Sequence, residues 1–282
     1  MIPLFDMFFQ NPFLLMALLA GLAASISGGI IGSYVVTKRI VFISGSISHA
    51  VLGGMGLFLW LKRSFGLDFL SPLYGALLSA IASAFLLGWV HLKYKEREDS
   101  IIAAIWAIGM SIGVIFITFT PGYNVELMNF LFGNILWITR LDMVSIFILD
   151  ILVVGCTFLF YRKFQAICFD EEQAALQGVS VKKNYIFLLC LIAISVVILI
   201  QIVGAVLVIS MLTMPAAIAA AITQRLSSMM KAAILLGAFF TCLGIYASYE
   251  LNWPPGATIT LVSGFFYGLT LWISKSRQKQ RS

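Results

Sequence analysis

The chain has 282 residues, of which 61% are hydrophobic and only 11% charged, whereas a soluble domain keeps roughly 25% charged. That balance excludes an ordinary soluble protein and leaves a polytopic membrane protein. The net charge of +6 is spread over short connections rather than gathered in one basic domain, which excludes a nucleic-acid partner.

A spanning helix needs about 20 mostly apolar residues. Such runs fall at 13–36, 45–61, 70–92, 100–120, 141–161, 185–203, 204–223, 231–249 and 255–274. The expected fold is therefore all-α, a transmembrane helical bundle of 8–9 spans forming one domain over 1–282. Pro3 and Asp6 stand where a signal peptide would carry positive charge, and the first apolar run exceeds a cleaved segment, so it is read as a membrane helix. That first span carries Gly21, Ser25 and Gly29 on one face and Gly28 and Gly32 on the next, spacings that allow close helix approach.

The second span holds SISHAVLGG, with one of the chain's two histidines, His49, at its centre. An ionisable group there is costly and is kept for a substrate pathway or a structural partner. On a helix His49 shares its face with Gly45, Gly53 and Gly56, a nearly bare face that either admits a partner helix or leaves room for an ion. The other histidine, His91, sits beside Lys93 at a helix end and reads as interfacial. Trp106 lies deep in the fourth span and carries no signal. Asp150 falls midway along the fifth span, where a carboxyl is either a ligand or hydrogen-bonded to a neighbouring helix.

The longest polar interval, Arg162 to Asn184, follows. Its acids Asp170, Glu171 and Glu172, then Ala174, Ala175 and Leu176, then Gly178, describe a short capped helix, either a docking element or a surface loop. Gly204 is the one signal dividing the sixth and seventh runs, the alternative being a bent helix with a re-entrant segment. Pro215 removes a helical hydrogen bond in the seventh and marks either a break or a fixed kink. Cys156, Cys168, Cys190 and Cys242 show no CxxC spacing and imply neither disulfides nor zinc.

Lys and Arg set the orientation. With alternating helices and a cytoplasmic C-terminus, the outer side receives only Lys62, Arg63 and Arg140 of the 18. This predicts an odd number of crossings with the N-terminus outside. Trp60, Trp137 and Trp253 at outer ends, and Trp89 and Trp272 at inner ends, agree with an interfacial belt. Glu126, Asp68 and Glu250 fall in outer loops.

FDEEQAALQGV (Phe169 to Val179) resembles the coupling segment of importer-type ABC transporter permeases. GSYVVTKRIVFISGSISHAVLGG (Gly32 to Gly54), FLFGNIL (Phe130 to Leu136), GAVLVISMLTMPAAIAAAI (Gly204 to Ile222) and PPGATITL (Pro254 to Leu261) follow the same family in the same order. The chain is thus similar, over nearly its whole length, to the metal-type (zinc, manganese or iron) ABC permeases, and distantly to siderophore and cobalamin permeases.

The resemblance implies a permease subunit, homodimeric or paired with a paralogous permease, in the bacterial cytoplasmic membrane among its lipids. It implies a cytoplasmic ABC ATPase gripping Phe169, Asp170, Ala174 and Gly178, and an extracytoplasmic metal-binding protein delivering Zn²⁺, Mn²⁺ or Fe²⁺. The ion is cargo, with no permanent cofactor. The chain lacks GxxxxGK[ST], so ATP hydrolysis is expected on a separate subunit and this subunit is not an enzyme. His49 becomes a transient metal ligand, since imidazole suits such ions, and Asp150 a second candidate. The family's usual Asp four residues before the histidine is Gly45 here, and its Asp two residues before Pro-x-Gly is Asn252. The alternatives are an ion-coupled secondary transporter, disfavoured by the lack of internal repeats, and an ABC permease for a metal chelate such as a siderophore. A membrane-embedded enzyme is a further rival, for which two distant histidines exclude a multi-histidine metal site and no nucleophile–base arrangement is visible.

Overall fold

The computed structural model describes residues 11–93, 98–122, 135 and 138–279, without the side chains of 98, 99 and 275–279. Among them run ten helices: α1 (Pro12–Thr37), α2 (Val41–Phe65), α3 (Pro72–Lys93), α4 (Glu98–Phe119), α5 (Arg140–Phe169), α6 (Glu171–Leu176), α7 (Val181–Val203), α8 (Ala205–Ile222), α9 (Leu226–Leu251) and α10 (Pro255–Lys279). All but the short α6 are long and apolar enough to cross a membrane, nine in total. The fold is all-α and polytopic. Pro3, Asp6, Glu126, Trp137, Lys95, Arg97, Arg281 and the FLFGNIL stretch except Ile135 lie outside the described residues.

The helices fall into two compact units. The first holds α1, α5 as far as Leu159, α7 from Leu199, and α8 to α10. The second holds α2 to α4, α5 from Phe160, α6, and α7 as far as Ile198.

In the first unit α1 is the buried centre, packed against α8 and α9. Its two small-residue faces have different partners. Gly21, Ser25 and Gly29 meet α9: a Cβ on Gly29 would lie 2.7 Å from the Ile234 backbone nitrogen, and one on Gly237 3.2 Å from Ser25. Gly28 and Gly32 meet α8 at the Met211 and Leu212 carbonyls. Pro215 lies inside α8, which continues through it. A proline cannot donate to the carbonyl four residues back, here Met211, and the bare face of α1 lies against that same turn.

Between α7 and α8 the chain leaves the helical conformation at Gly204, with φ 84° and ψ 157°. Only glycine adopts that region cheaply. Its N–H still donates to Ile200 and its carbonyl accepts from Val208, so each helix end is closed there.

In the second unit α2 is sandwiched by α3 and α4. Gly54 and Gly75 allow α2 and α3 to touch, and Gly53 and Gly56 face the Gly109 and Gly113 carbonyls of α4, at 3.0 and 2.9 Å from where a Cβ would stand. The face that carries His49 is thus largely filled by a partner helix.

The fifth span is longer than the 141–161 run. α5 continues through the polar RKFQAICF to Phe169, because Phe164, Ile167 and Cys168 bury a helical stripe. Thirty residues make a rod of about 45 Å, beyond the roughly 30 Å of hydrocarbon, so its end projects into water with Arg162 and Lys163 exposed.

Candidate functional site

His49 stands on α2 with its imidazole stacked on the Trp106 indole of α4, centroids 4.4 Å apart and planes 10° off parallel. Two turns of α2 share that cover, since a Cβ on Gly45 would meet Trp106 at 3.6 Å. Trp106 is itself held by its Nε1–H, which donates to the Met110 sulfur at 3.1 Å. The Nδ1 atom of His49 is buried and has no hydrogen-bond partner among the described residues.

In the first unit Asp150, on α5, is 7% exposed. Its Oδ1 accepts from the Ser27 hydroxyl at 2.7 Å and the Ser27 N–H at 3.2 Å, which ties the middle of α5 to α1. Oδ2 is buried and without a partner among the described residues. His49 belongs to the second unit and Asp150 to the first. Among the described residues no three of His, Cys, Asp and Glu gather where they would cage a metal.

The coupling candidates gather on α6. Asp170 caps it, its Oδ1 accepting from the N–H groups of Glu172 and Gln173, both at 2.9 Å. At the other end Gly178 takes φ 78°, its N–H donates to Ala175, and that of Val179 reaches back to Ala174. This is a Schellman-type close. Ala174 is the buried anchor, while Phe169 and Leu176 are 65% and 90% exposed. A groove of about 670 Å³ opens beside the helix, walled by Phe160 and Phe187 and edged by Lys163, Gly178 and Lys183.

The model of the ABC 3 transport family matches residues 10–274. The chain belongs to that family. A Chlamydia pneumoniae protein named a probable metal transport system membrane protein is 48% identical over 262 residues, 93% of this chain and 89% of the relative. The manganese transport system membrane protein MntC of Listeria monocytogenes is 33% identical over 258 residues, 92% and 89% of the two chains. Among solved structures, PsaBC from Streptococcus pneumoniae in complex with Fab superposes with a TM-score of 0.81 at 25% identity, covering 95% of this chain and 94% of that one.

Gly45 and Asn252, where the resemblance leads one to expect an acid, have local structural roles. Gly45 faces the indole of Trp106. Asn252 ends α9 in the left-handed conformation, φ 54°, with its N–H donating to Ser248, and Asn is among the few residues that enter that region readily. Sequence reasoning missed Trp106, which it set aside as uninformative, and Ser27 as the partner of Asp150. The signal for the former was present. Trp106, Gly109 and Gly113 share one face of α4 at offsets of three and seven, a small-residue stripe that marks a helix seam.

Proposed function

We propose that this chain is the permease subunit of an ABC importer for a divalent transition metal. Family membership carries the reading, and the capped α6 with its exposed Leu176, next to the exposed Phe169 at the end of α5, supports it. An exposed apolar side chain beside a short capped helix is the kind of feature that a groove on a partner protein takes up. ATP is hydrolysed on that separate cytoplasmic subunit, and an extracytoplasmic binding protein supplies the ion. Two permease chains, identical or paralogous, enclose the pathway in the bacterial cytoplasmic membrane, with the N-terminus outside and the C-terminus inside.

His49 meets the ion in transit through Nδ1. A single imidazole is a weak ligand, and weak binding suits a site that must release its cargo. Asp150, through Oδ2, is a separate candidate ligand within its own unit. Manganese is the first ion to test, because relatives such as the Listeria protein carry it in their names; Zn²⁺ and Fe²⁺ are its competitors.

Uptake of ⁵⁴Mn and ⁶⁵Zn by cells expressing the transporter tests the reading. Uptake should require both ATP and the ATPase subunit, and His49→Ala should lower it. Metal uptake into vesicles lacking any ATPase would overturn the permease reading. Normal uptake of both ions by His49→Ala would remove His49 from the path.

A further inference from the structure

A helix of six residues does not hold itself in place, because nucleation is unfavourable and one turn returns few bonds. α6 therefore depends on what it touches. Beyond its caps and the buried Ala174, it makes a polar contact with a residue 80 positions earlier. Nε2 of His91, at the end of α3, lies 3.1 Å from Oε1 of Glu171, the first residue of α6. The two side chains are 17% and 23% exposed, so water screens the contact only in part. A carboxylate only accepts, which places the imidazole hydrogen on Nε2.

The imidazole has a second contact. It packs at a tilt of 34° against Tyr185, in the second turn of α7, with centroids 4.4 Å apart, and Tyr185 is fully buried. His91 is thus a node at which α3, α6 and α7 meet within one unit. From there α3 runs against α2 through the glycine contact of Gly54 with Gly75, and α2 carries His49.

We propose that His91 is a positioning residue for ATP-driven transport. Through Glu171 it fixes the coupling helix to the inner end of α3, so that displacement of α6 moves α3 and the α2 face it packs on, rather than bending the α6 turn alone. The proposal rests on the permease reading and names the residue pair by which force leaves α6.

The test uses the permease co-purified with its ATPase, reconstituted in proteoliposomes and supplied with Mn²⁺-loaded binding protein. The readout is the ratio of stimulated to unstimulated ATP hydrolysis, with ⁵⁴Mn uptake in parallel. His91→Ala should lower that ratio by about tenfold, the worth of one partly buried charge-assisted hydrogen bond. The double variant His91→Ala/Glu171→Ala should be no worse than the single ones, as a coupled pair requires. His91→Gln keeps a donor and similar bulk, and should recover most of the ratio; the exchange His91→Glu/Glu171→His should do the same. A wild-type ratio in His91→Ala, losses that add in the double variant, or failure of both restoring variants would overturn the proposal. If the unaltered complex shows no stimulated hydrolysis at all, it is the permease reading itself that falls.

Discussion

At the residue scale His49 and Asp150, both well inside candidate spans, differ in what holds them. His49 is covered on one ring face by an aromatic, and its Nδ1 has no hydrogen-bond partner among the described residues. Asp150 spends one oxygen on Ser27 and keeps the other buried. Removing the carboxyl should therefore cost packing as well as any contact with the ion. Asp150→Ala leaves a buried hydroxyl unpaired and should destabilise the detergent-solubilised protein by about 1–3 kcal/mol. Asp150→Asn retains an acceptor for Ser27 and should unfold near the wild-type temperature. With stability held by Asn, ⁵⁴Mn uptake isolates the second role: a loss assigns Oδ2 to the ion path, and full uptake leaves Asp150 as a tie between α1 and α5. A parallel expectation concerns Trp106. Its replacement by Ala uncovers His49 and Gly45 together, and should alter the preference between Mn²⁺ and Zn²⁺ in competition uptake, provided His49 meets the ion.

Among the elements, α1 and α6 depend most on single residues. The α1 face at Gly32 touches the Leu212 carbonyl so closely that no Cβ fits. Gly32→Ala should force α1 from α8 and lower stability by about 1–3 kcal/mol, read as a fall in unfolding temperature. On α6, Gly178→Pro conflicts with a φ of 78°, because proline holds φ near −65°, and it deletes the N–H that bonds Ala175. Loss of ATPase co-purification is the expected result, with Asp170→Ala giving a milder defect from a cap worth about 1 kcal/mol. Much of this was legible in the sequence, since caps, glycine breaks and apolar length are local properties. Asp170, Gly178 and Gly204 announced themselves for that reason. The pairing of faces is not local. Nothing in SISHAVLGG says that Trp106, 57 positions on, lies over His49, nor does His91 announce Glu171. The end of α5 was misjudged for a related reason: polar RKFQ reads as loop, but tertiary burial of Phe164 and Ile167 keeps it helical.

For the whole molecule, the proposed orientation rests on nine candidate spans among the described residues and on the placement of basic residues. Arg162 and Lys163 at the projecting end of α5, and Lys182 and Lys183 in the first turn of α7, flank α6. Lys62 and Arg63 lie at the far end of α2 from Lys38 and Arg39. A span of 25 residues measures about 37 Å, so these two pairs stand on opposite sides of the membrane whichever way the chain is inserted. The excess of basic residues assigned to the α6 side is the reason for proposing that this side is cytoplasmic. Single cysteines decide it in a background where Cys156, Cys168, Cys190 and Cys242 are replaced. Asp68→Cys, in the turn after α2, should react with an impermeant maleimide in intact spheroplasts. Gln177→Cys, beside Gly178, should react only after the membrane is opened. The reverse pattern would place α6 outside, where no ATPase could reach it, and would overturn the orientation and the coupling role together.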